Sequence, residues 1–181
     1  LGCNANSVNH EPRDNLYIVA GQSNASLCDW SYFESISGSK VVNISKTGRD
    51  INSLIDIYIS SKIEGVSPKG IIFVHGEADS IKGTDTSEYN DNVEYYRKLI
   101  SGDMGVELPL YISTVGYYDK KPDLNFDILR DSVVDHSKVN ELWFIAYNDA
   151  KNFRDWGMIL DGIHFTEEGC RSMMDGIYSY L

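Results

Sequence analysis

Cations and long apolar runs are scarce in this chain of 181 residues. Its 16 lysines and arginines stand against 27 aspartates and glutamates, which gives a net charge of −11. Nucleic acids and anionic membrane surfaces repel such a surplus, so we expect neither as a partner. No apolar stretch approaches the ~20 residues that a membrane-spanning helix needs, so we expect no integral membrane segment.

Motifs that bind metals or nucleotides are also missing. The sequence contains no HExxH segment, and its glycines are too scattered for a dinucleotide-binding or phosphate-cradling loop. We therefore expect neither a metal ion nor a cofactor.

Cysteine is rare, with three residues that cannot all pair within one chain. Cys170 lies on a helical apolar stripe, which favours a core thiol, while a Cys3–Cys28 disulfide stays open. The segment Leu1-Gly2-Cys3 resembles the end of a bacterial lipoprotein signal, although a plain polar terminus explains it equally well. Secreted, lipid-anchored and cytoplasmic locations are therefore all open.

Apolar runs alternate with amphipathic stretches along most of the chain. The length favours one domain with a substantial core, which we place at residues 15–181 behind a polar tail at 1–14. The alternation predicts a three-layer α/β/α sandwich with a parallel, flavodoxin-like, five-stranded sheet. The predicted strands cover 16–20, 40–44, 70–75, 108–115 and 142–146. A short helix and a loop are predicted at 24–35, and further helices are predicted at 51–63, 86–100, 123–136 and 166–181.

A serine follows the first predicted strand, in the segment Gly21-Gln22-Ser23-Asn24-Ala25. A tight turn there would place Ser23 at the carboxyl edge of the sheet, where open α/β sheets keep their ligand sites. A serine hydroxyl is a weak nucleophile unless a base takes its proton. The plainer alternative for Ser23 is a helix cap, so its role depends on a partner elsewhere in the chain.

Such a partner occurs in Asp161-Gly162-Ile163-His164, just before the last predicted helix. Histidine, with an ordinary pKa near ~6.5, suits proton transfer at neutral pH, and Asp161 is close enough in sequence to orient the ring of His164. The plainer alternatives are a helix cap for Asp161 and a core histidine for His164. Because both residues share one turn, we favour a catalytic pair.

A third polar turn follows the strongest strand and contains His75, Glu77 and Asp79. His75 could be a second base, an oxyanion donor or a structural histidine, and the residues leave these roles open. Glu77 and Asp79 could form the carboxylate pair of a glycosidase, but two acids in one turn fit hydrogen bonding within loops better.

These segments resemble the SGNH (GDSL-type) hydrolase superfamily, and within it the carbohydrate esterase and sialate O-acetylesterase-like group. The similarity lies in Gly21-Gln22-Ser23-Asn24, in Gly48, in residues 73–79 and in Asp161-x-x-His164, which occur in the same order as the blocks of the group. His75 departs from the pattern, since the group has a glutamine there.

The resemblance implies a role for each matching residue. Ser23, Asp161 and His164 would form the catalytic triad, and the backbone amides of Ser23 and Gly48 would hold the oxyanion. His75 would lend an imidazole N–H where the group lends a side-chain amide. We expect further support of the site loops from three neighbours, Gln22, Asn24 and Glu77.

The implied function is that of a serine esterase that removes O-acetyl groups from a carbohydrate through an acyl-enzyme. One alternative is a lipid or thioester acyl hydrolase of the same superfamily. Another is a non-catalytic carbohydrate-binding protein, since 12 tyrosines would suit stacking on sugars. The oligomeric state is open in each case.

Overall fold

Five strands form the centre of the protein in a computed structural model that describes residues 15–181. The predicted tail at 1–14, including Cys3, lies outside the described residues. The strands are β1 (Leu16–Gly21), β2 (Lys40–Asn43), β3 (Gly70–Val74), β4 (Leu110–Ser113) and β5 (Trp143–Tyr147). All pairings are parallel and the order is β2-β1-β3-β4-β5. This order confirms the predicted flavodoxin-like sheet.

Seven α-helices accompany these strands within residues 15–181. They are α1 (Ser23–Leu27), α2 (Ser31–Ser37), α3 (Ile51–Ser60), α4 (Glu77–Lys82), α5 (Thr86–Met104), α6 (Asp123–Ser137) and α7 (Glu167–Tyr180). One core packs α3, α5 and α6 against the sheet, and a second core packs α1, α2 and α7 against it. The two cores confirm the predicted three-layer sandwich.

Side-chain caps fix where α3 and α7 begin. Asp50 accepts a hydrogen bond of 2.9 Å from the amide of Ser53, and Thr166 accepts one of 3.0 Å from the amide of Gly169. Both caps agree with the predicted starts of α3 and α7.

Two stretches differ from the prediction. At 24–35, where one short helix and a loop were predicted, the structure has two short helices, α1 and α2, on either side of Cys28 and Trp30. The Trp30 indole donates to the Ala25 carbonyl at 2.7 Å. The segment after β3, predicted as a polar turn, forms the short helix α4. Polar residues can build a single helical turn, which a search for apolar periodicity does not detect.

The cysteine prediction was wrong. Cys28 and Cys170 form a disulfide across 142 residues of sequence, with Cα atoms 5.5 Å apart. Cys170 is therefore not a free core thiol, and Cys28 is not available to Cys3. The packing of α2 against α7 brings the two cysteines together, and no local pattern in the sequence reveals this contact. The bond joins the end of the helix that starts at Ser23 to α7.

The described helices show no candidate for a membrane span, because none combines the necessary length with sufficient hydropathy.

Candidate active site

Ser23 lies at the carboxyl edge of the sheet, where β1 turns into α1. The turn requires glycine before it: Gly21 has φ +138°, and a Cβ there would lie 1.9 Å from the carbonyl oxygen of Val74. This close approach lets the Gln22 amide donate to the same oxygen at 3.1 Å. This hydrogen bond holds the turn against β3. Ser23 itself is buried, with 3 % of its surface exposed.

Asp161 and His164 are bonded to each other in the turn before α7. The Asp161 carboxylate accepts a 2.6 Å hydrogen bond from Nδ1 of His164 and a 2.9 Å bond from its backbone amide. These bonds lower the pKa of Asp161 to about 2. A carboxylate can only accept, so Nδ1 carries the proton and Nε2 is left as the basic nitrogen.

Asn24 connects the serine turn to the histidine turn. Its side-chain oxygen accepts from the amide of Phe165 at 3.0 Å, and its side-chain nitrogen donates to the carbonyl of Ile163 at 3.3 Å. The residue next to Ser23 therefore holds both neighbours of His164 in the chain. Among the described residues, Ser23 and His164 are not hydrogen-bonded to each other. In enzymes without bound substrate, a hydrogen bond of this kind is often long and tightens only when the substrate binds.

Glu77 holds the side chain of Asn24 in place through a hydrogen bond. Its Oε1 accepts the side-chain amide of Asn24 at 2.7 Å, while its Oε2 has no partner among the described residues. Glu77 is 3 % exposed, so this contact is shielded from water. Gln22 is fastened nearby, because its side-chain oxygen accepts the Ala78 amide at 3.2 Å. The structure thus brings Gln22, Asn24 and Glu77 together around the serine turn.

His75 does not offer an N–H to an oxyanion in this arrangement. Its ring is fully buried, with Nδ1 2.9 Å from the hydroxyl of Tyr89 and Nε2 2.9 Å from the carbonyl oxygen of Arg49. A carbonyl can only accept, so Nε2 carries the ring proton and Nδ1 accepts from Tyr89. Of the three roles left open by the sequence, this geometry favours the structural one.

Gly48 lies in the exposed loop between β2 and α3, with φ +69°. Two buried side chains hold the far side of this loop: His75 bonds Arg49, and the Asp79 carboxylate accepts the amide of Ile51 at 2.9 Å. Asp79 also accepts from the Thr84 hydroxyl at 2.8 Å. These bonds agree with the loop hydrogen bonding favoured for Asp79 over a glycosidase role.

Sequence reasoning missed the parts of the site that depend on long-range packing. It found neither the Tyr89–His75–Arg49 chain of hydrogen bonds nor the Cys28–Cys170 bond. For the hydrogen-bond chain, the sequence offered one signal, which is Tyr89 near the polar start of α5. As for metals, no three acidic, histidine or cysteine side chains cluster closely enough to hold an ion within residues 15–181.

The fold has relatives among solved structures. A lipolytic protein of the G-D-S-L family from Veillonella parvula superposes with a TM-score of 0.70 at 13 % identity, covering 91 % of this chain and 96 % of its own. A GDSL-like lipase from Bacteroides thetaiotaomicron gives 0.71 at 15 % identity, with 91 % and 86 % covered. A lipase/acylhydrolase from Enterococcus faecalis gives 0.67 at 13 % identity, with 91 % and 93 % covered.

Sequence comparisons find nothing further, since no family model and no curated protein matches the chain. At these identities the structural likeness shows a shared fold, the fold of GDSL-like lipolytic and acylhydrolase proteins.

Proposed function

We propose that this protein is a serine esterase of the SGNH type that removes O-acetyl groups from a carbohydrate. One observation carries the proposal: Asn24, the residue after the candidate nucleophile, is bonded to both neighbours of His164, whose ring is already held by Asp161. A nucleophile, a base and an orienting acid are the groups that acyl transfer requires. The shared fold and the matching sequence blocks support the same conclusion.

The proposed reaction begins when Nε2 of His164 takes the proton of Ser23 as its Oγ attacks the acetyl carbonyl carbon. The backbone amides of Ser23 and Gly48 donate to the resulting oxyanion. The tetrahedral intermediate then expels the sugar oxygen, which receives the proton from His164. A water molecule, deprotonated by His164, attacks the acetyl-serine, and acetate is released as Oγ of Ser23 leaves and takes that proton back from His164. Asp161 fixes the tautomer of His164 throughout.

His75 acts in this proposal as a positioning residue. Its Nε2–H holds the carbonyl of Arg49, one residue beyond Gly48, and the Tyr89 hydroxyl fixes the ring tautomer. Asp79 holds the same loop at Ile51. Together they would set the direction of the Gly48 amide without touching the substrate.

The test is hydrolysis of p-nitrophenyl acetate by Ser23→Ala, with Ser26→Ala as the matched control. Ser26 is an exposed serine on the same helix, so its removal keeps the local fold without touching the proposed nucleophile. We expect Ser23→Ala to lose at least about a thousandfold in kcat, since loss of the nucleophile leaves only residual catalysis. Full activity of Ser23→Ala would end the proposal.

A fluorophosphonate probe separates enzyme from binding protein. Covalent labelling of Ser23 that is blocked in His164→Ala supports an activated nucleophile. An unlabelled protein that still binds glycans would instead favour the non-catalytic alternative.

A lipid or thioester hydrolase is the second candidate, favoured by the names of the structural relatives, which are lipases and acylhydrolases. Acetyl, butyryl and octanoyl p-nitrophenyl esters distinguish the two. An acetyl preference supports deacetylation, whereas rates that rise with chain length support the alternative.

The disulfide bears on the compartment. Stable disulfides persist mainly in oxidising surroundings, so Cys28–Cys170 favours a secreted or envelope location over the cytoplasm.

A further inference from the structure

An open cleft of about 550 Å³ lies beside His164. Its volume falls within the range of small-molecule sites. Its lining includes Leu27, Asp29 and Leu160, and also Glu167 and Arg171 of α7. The cleft is thus continuous with the residue that would handle the proton.

The proposed chemistry assigns this cleft to one half of the ester. His164 must return its proton to the oxygen of the leaving alcohol, so that alcohol has to lie against His164 when the C–O bond breaks. The oxyanion donors Ser23 and Gly48 belong to other turns and do not line the cleft. In this proposal the cleft that His164 lines therefore accommodates the alcohol.

Apolar and aromatic surfaces dominate the walls. Leu27 is 63 % exposed and Leu160 72 % exposed, unusual values for leucines beside a catalytic residue. The ring of Tyr32 also lines the cleft. Such surfaces pack against the C–H faces of sugars, as aromatic and aliphatic side chains do in ligand pockets generally.

The charges of the cleft are mostly negative. Among residues 15–181, Arg171 is the only arginine or lysine that lines the cleft. Its guanidinium is 2.7 Å from the Glu167 carboxylate and lies over the Tyr32 ring, 5.0 Å from the ring centre. Hydrogen bonds from Ser31, and more weakly the charge of nearby Arg171, lower the pKa of Asp29, which is therefore ionised at neutral pH. An anionic ligand would meet two carboxylates, Asp29 and Glu167, and one guanidinium that both of them already attract.

We infer that this cleft binds the alcohol half of the ester and selects neutral or cationic leaving groups, such as neutral or amino sugars, over anionic ones such as sialic acids. The inference rests on the proposed esterase activity and deepens it. It narrows the substrate to acetylated glycans without a carboxylate near the ester.

The experiment uses three aryl acetates that share the acetyl group and differ in the charge of the leaving phenol. They are 4-acetoxybenzamide, 4-acetoxybenzoate and (4-acetoxyphenyl)trimethylammonium, each corrected for its rate with hydroxide. We expect kcat/KM for the anion to be about fivefold to tenfold below the neutral ester, with the cation at or above it. The gap should shrink as salt screens the charges.

Two substitutions test whether the carboxylates of the cleft cause this charge preference. Glu167→Gln removes one carboxylate and frees Arg171, so it should raise the rate of the anion relative to the neutral ester by about fivefold. Asp29→Asn should act in the same direction. The control is Glu141→Gln, an exposed acid before β5 at the opposite edge of the sheet, which should leave the ratio unchanged.

Three results would overturn the inference. The first is equal hydrolysis of the anion and the neutral ester, and the second is a shift of the ratio by Glu141→Gln as large as that by Glu167→Gln. The third is a charge preference that follows the acyl half instead, as judged with p-nitrophenyl succinate and butyrate. If none of the acetates is hydrolysed in a manner that depends on Ser23, the proposed function itself fails, which is a different outcome.

Discussion

The carboxylate of Glu77 accepts the side-chain amide of Asn24 at 2.7 Å, and the same amide also reaches the carbonyl of Ile163. Glu77 is on α4, Asn24 on α1 and Ile163 beside His164, so three turns from distant parts of the chain meet at one side chain. The histidine loop is therefore held by an amide that has no part in proton transfer.

The first prediction concerns Asn24→Ala. Loss of the contacts to Ile163 and Phe165 should let the His164 loop drift, and a displacement of about 1 Å can cost ~10²-fold in rate. We expect kcat on p-nitrophenyl acetate to fall about 10- to 100-fold with KM little changed. Asn90→Ala is the control, because Asn90 is equally buried but bonds Ser132 away from the site. It should lower thermal stability and leave kcat unchanged; an equal loss of kcat there would contradict the prediction.

The second prediction tests Glu77 as the support of Asn24. Glu77→Gln keeps an acceptor oxygen and should retain most activity, whereas Glu77→Ala leaves the Asn24 amide unpaired and should behave like Asn24→Ala. In a double-mutant cycle, the pair Asn24→Ala and Glu77→Ala should be no worse than either single change. Additive losses in kcat would show that the two residues act separately.

The third prediction separates positioning from oxyanion donation at His75. If His75 acts through the Gly48 loop, His75→Ala and Asp79→Asn should lower kcat by similar factors. Asp79→Asn would act by weakening the hydrogen bond from the amide of Ile51. The double variant should be less than additive because both changes release one loop. Kinetics of acetyl ester hydrolysis measure this. A large loss at His75→Ala, with Asp79→Asn unaffected, would instead support direct donation to the oxyanion.

The fourth prediction concerns acid stability at Asp50, the cap of α3. A hydrogen bond from Ser53 lowers its pKa to about 2 in the folded protein, below the ordinary value of 3.8. The folded state thus favours the carboxylate, so the stabilisation is complete above about pH 4 and is lost as pH falls through 2. Asp50→Ala should cost about 1 kcal/mol in the free energy of unfolding at pH 7. Denaturant melts should show a smaller difference between variant and parent near pH 2; an unchanged difference would contradict it.

The fifth prediction concerns the disulfide. The double variant Cys28→Ser, Cys170→Ser should lose about 2–5 kcal/mol of stability, since a long loop of the unfolded chain is no longer closed. Thermal melts with and without reductant measure this, and Cys3→Ser serves as the control that keeps the reductant effect. A parent protein indifferent to reductant would contradict the assignment.

Much of the fold followed from local patterns. The apolar runs around Ile18 and Ile72 are each enclosed on both faces, as central parallel strands are, and period-2 and period-3.6 spacing separated strands from helices. The caps at Asp50 and Thr166 were equally local, since a side chain satisfies an amide three residues away. The short helix α4 was not predicted, because its six residues are mostly polar and too few to show an apolar period.

Less of the candidate site than of the fold could be predicted from the sequence. Asp161 and His164 are three residues apart, so their contact could be argued from the turn alone. His75 could not be placed, because its partners Tyr89 and Arg49 lie 14 and 26 residues away and only packing chooses them. The same holds for Cys28 and Cys170, whose pairing depends on α2 and α7 meeting across the whole domain.

The span of that disulfide has a consequence for how the protein is made. Ser23 and Cys28 leave the ribosome early, whereas His164 and Cys170 emerge some 140 residues later, close to each other. If Ser23 and His164 form the proposed triad, the serine lacks its base until the turn before α7 has been synthesised and α7 packs against α2. On that proposal the protein becomes reactive only after the strands between these helices have been made, and oxidation of Cys28 and Cys170 then links the two segments that hold Ser23 and His164.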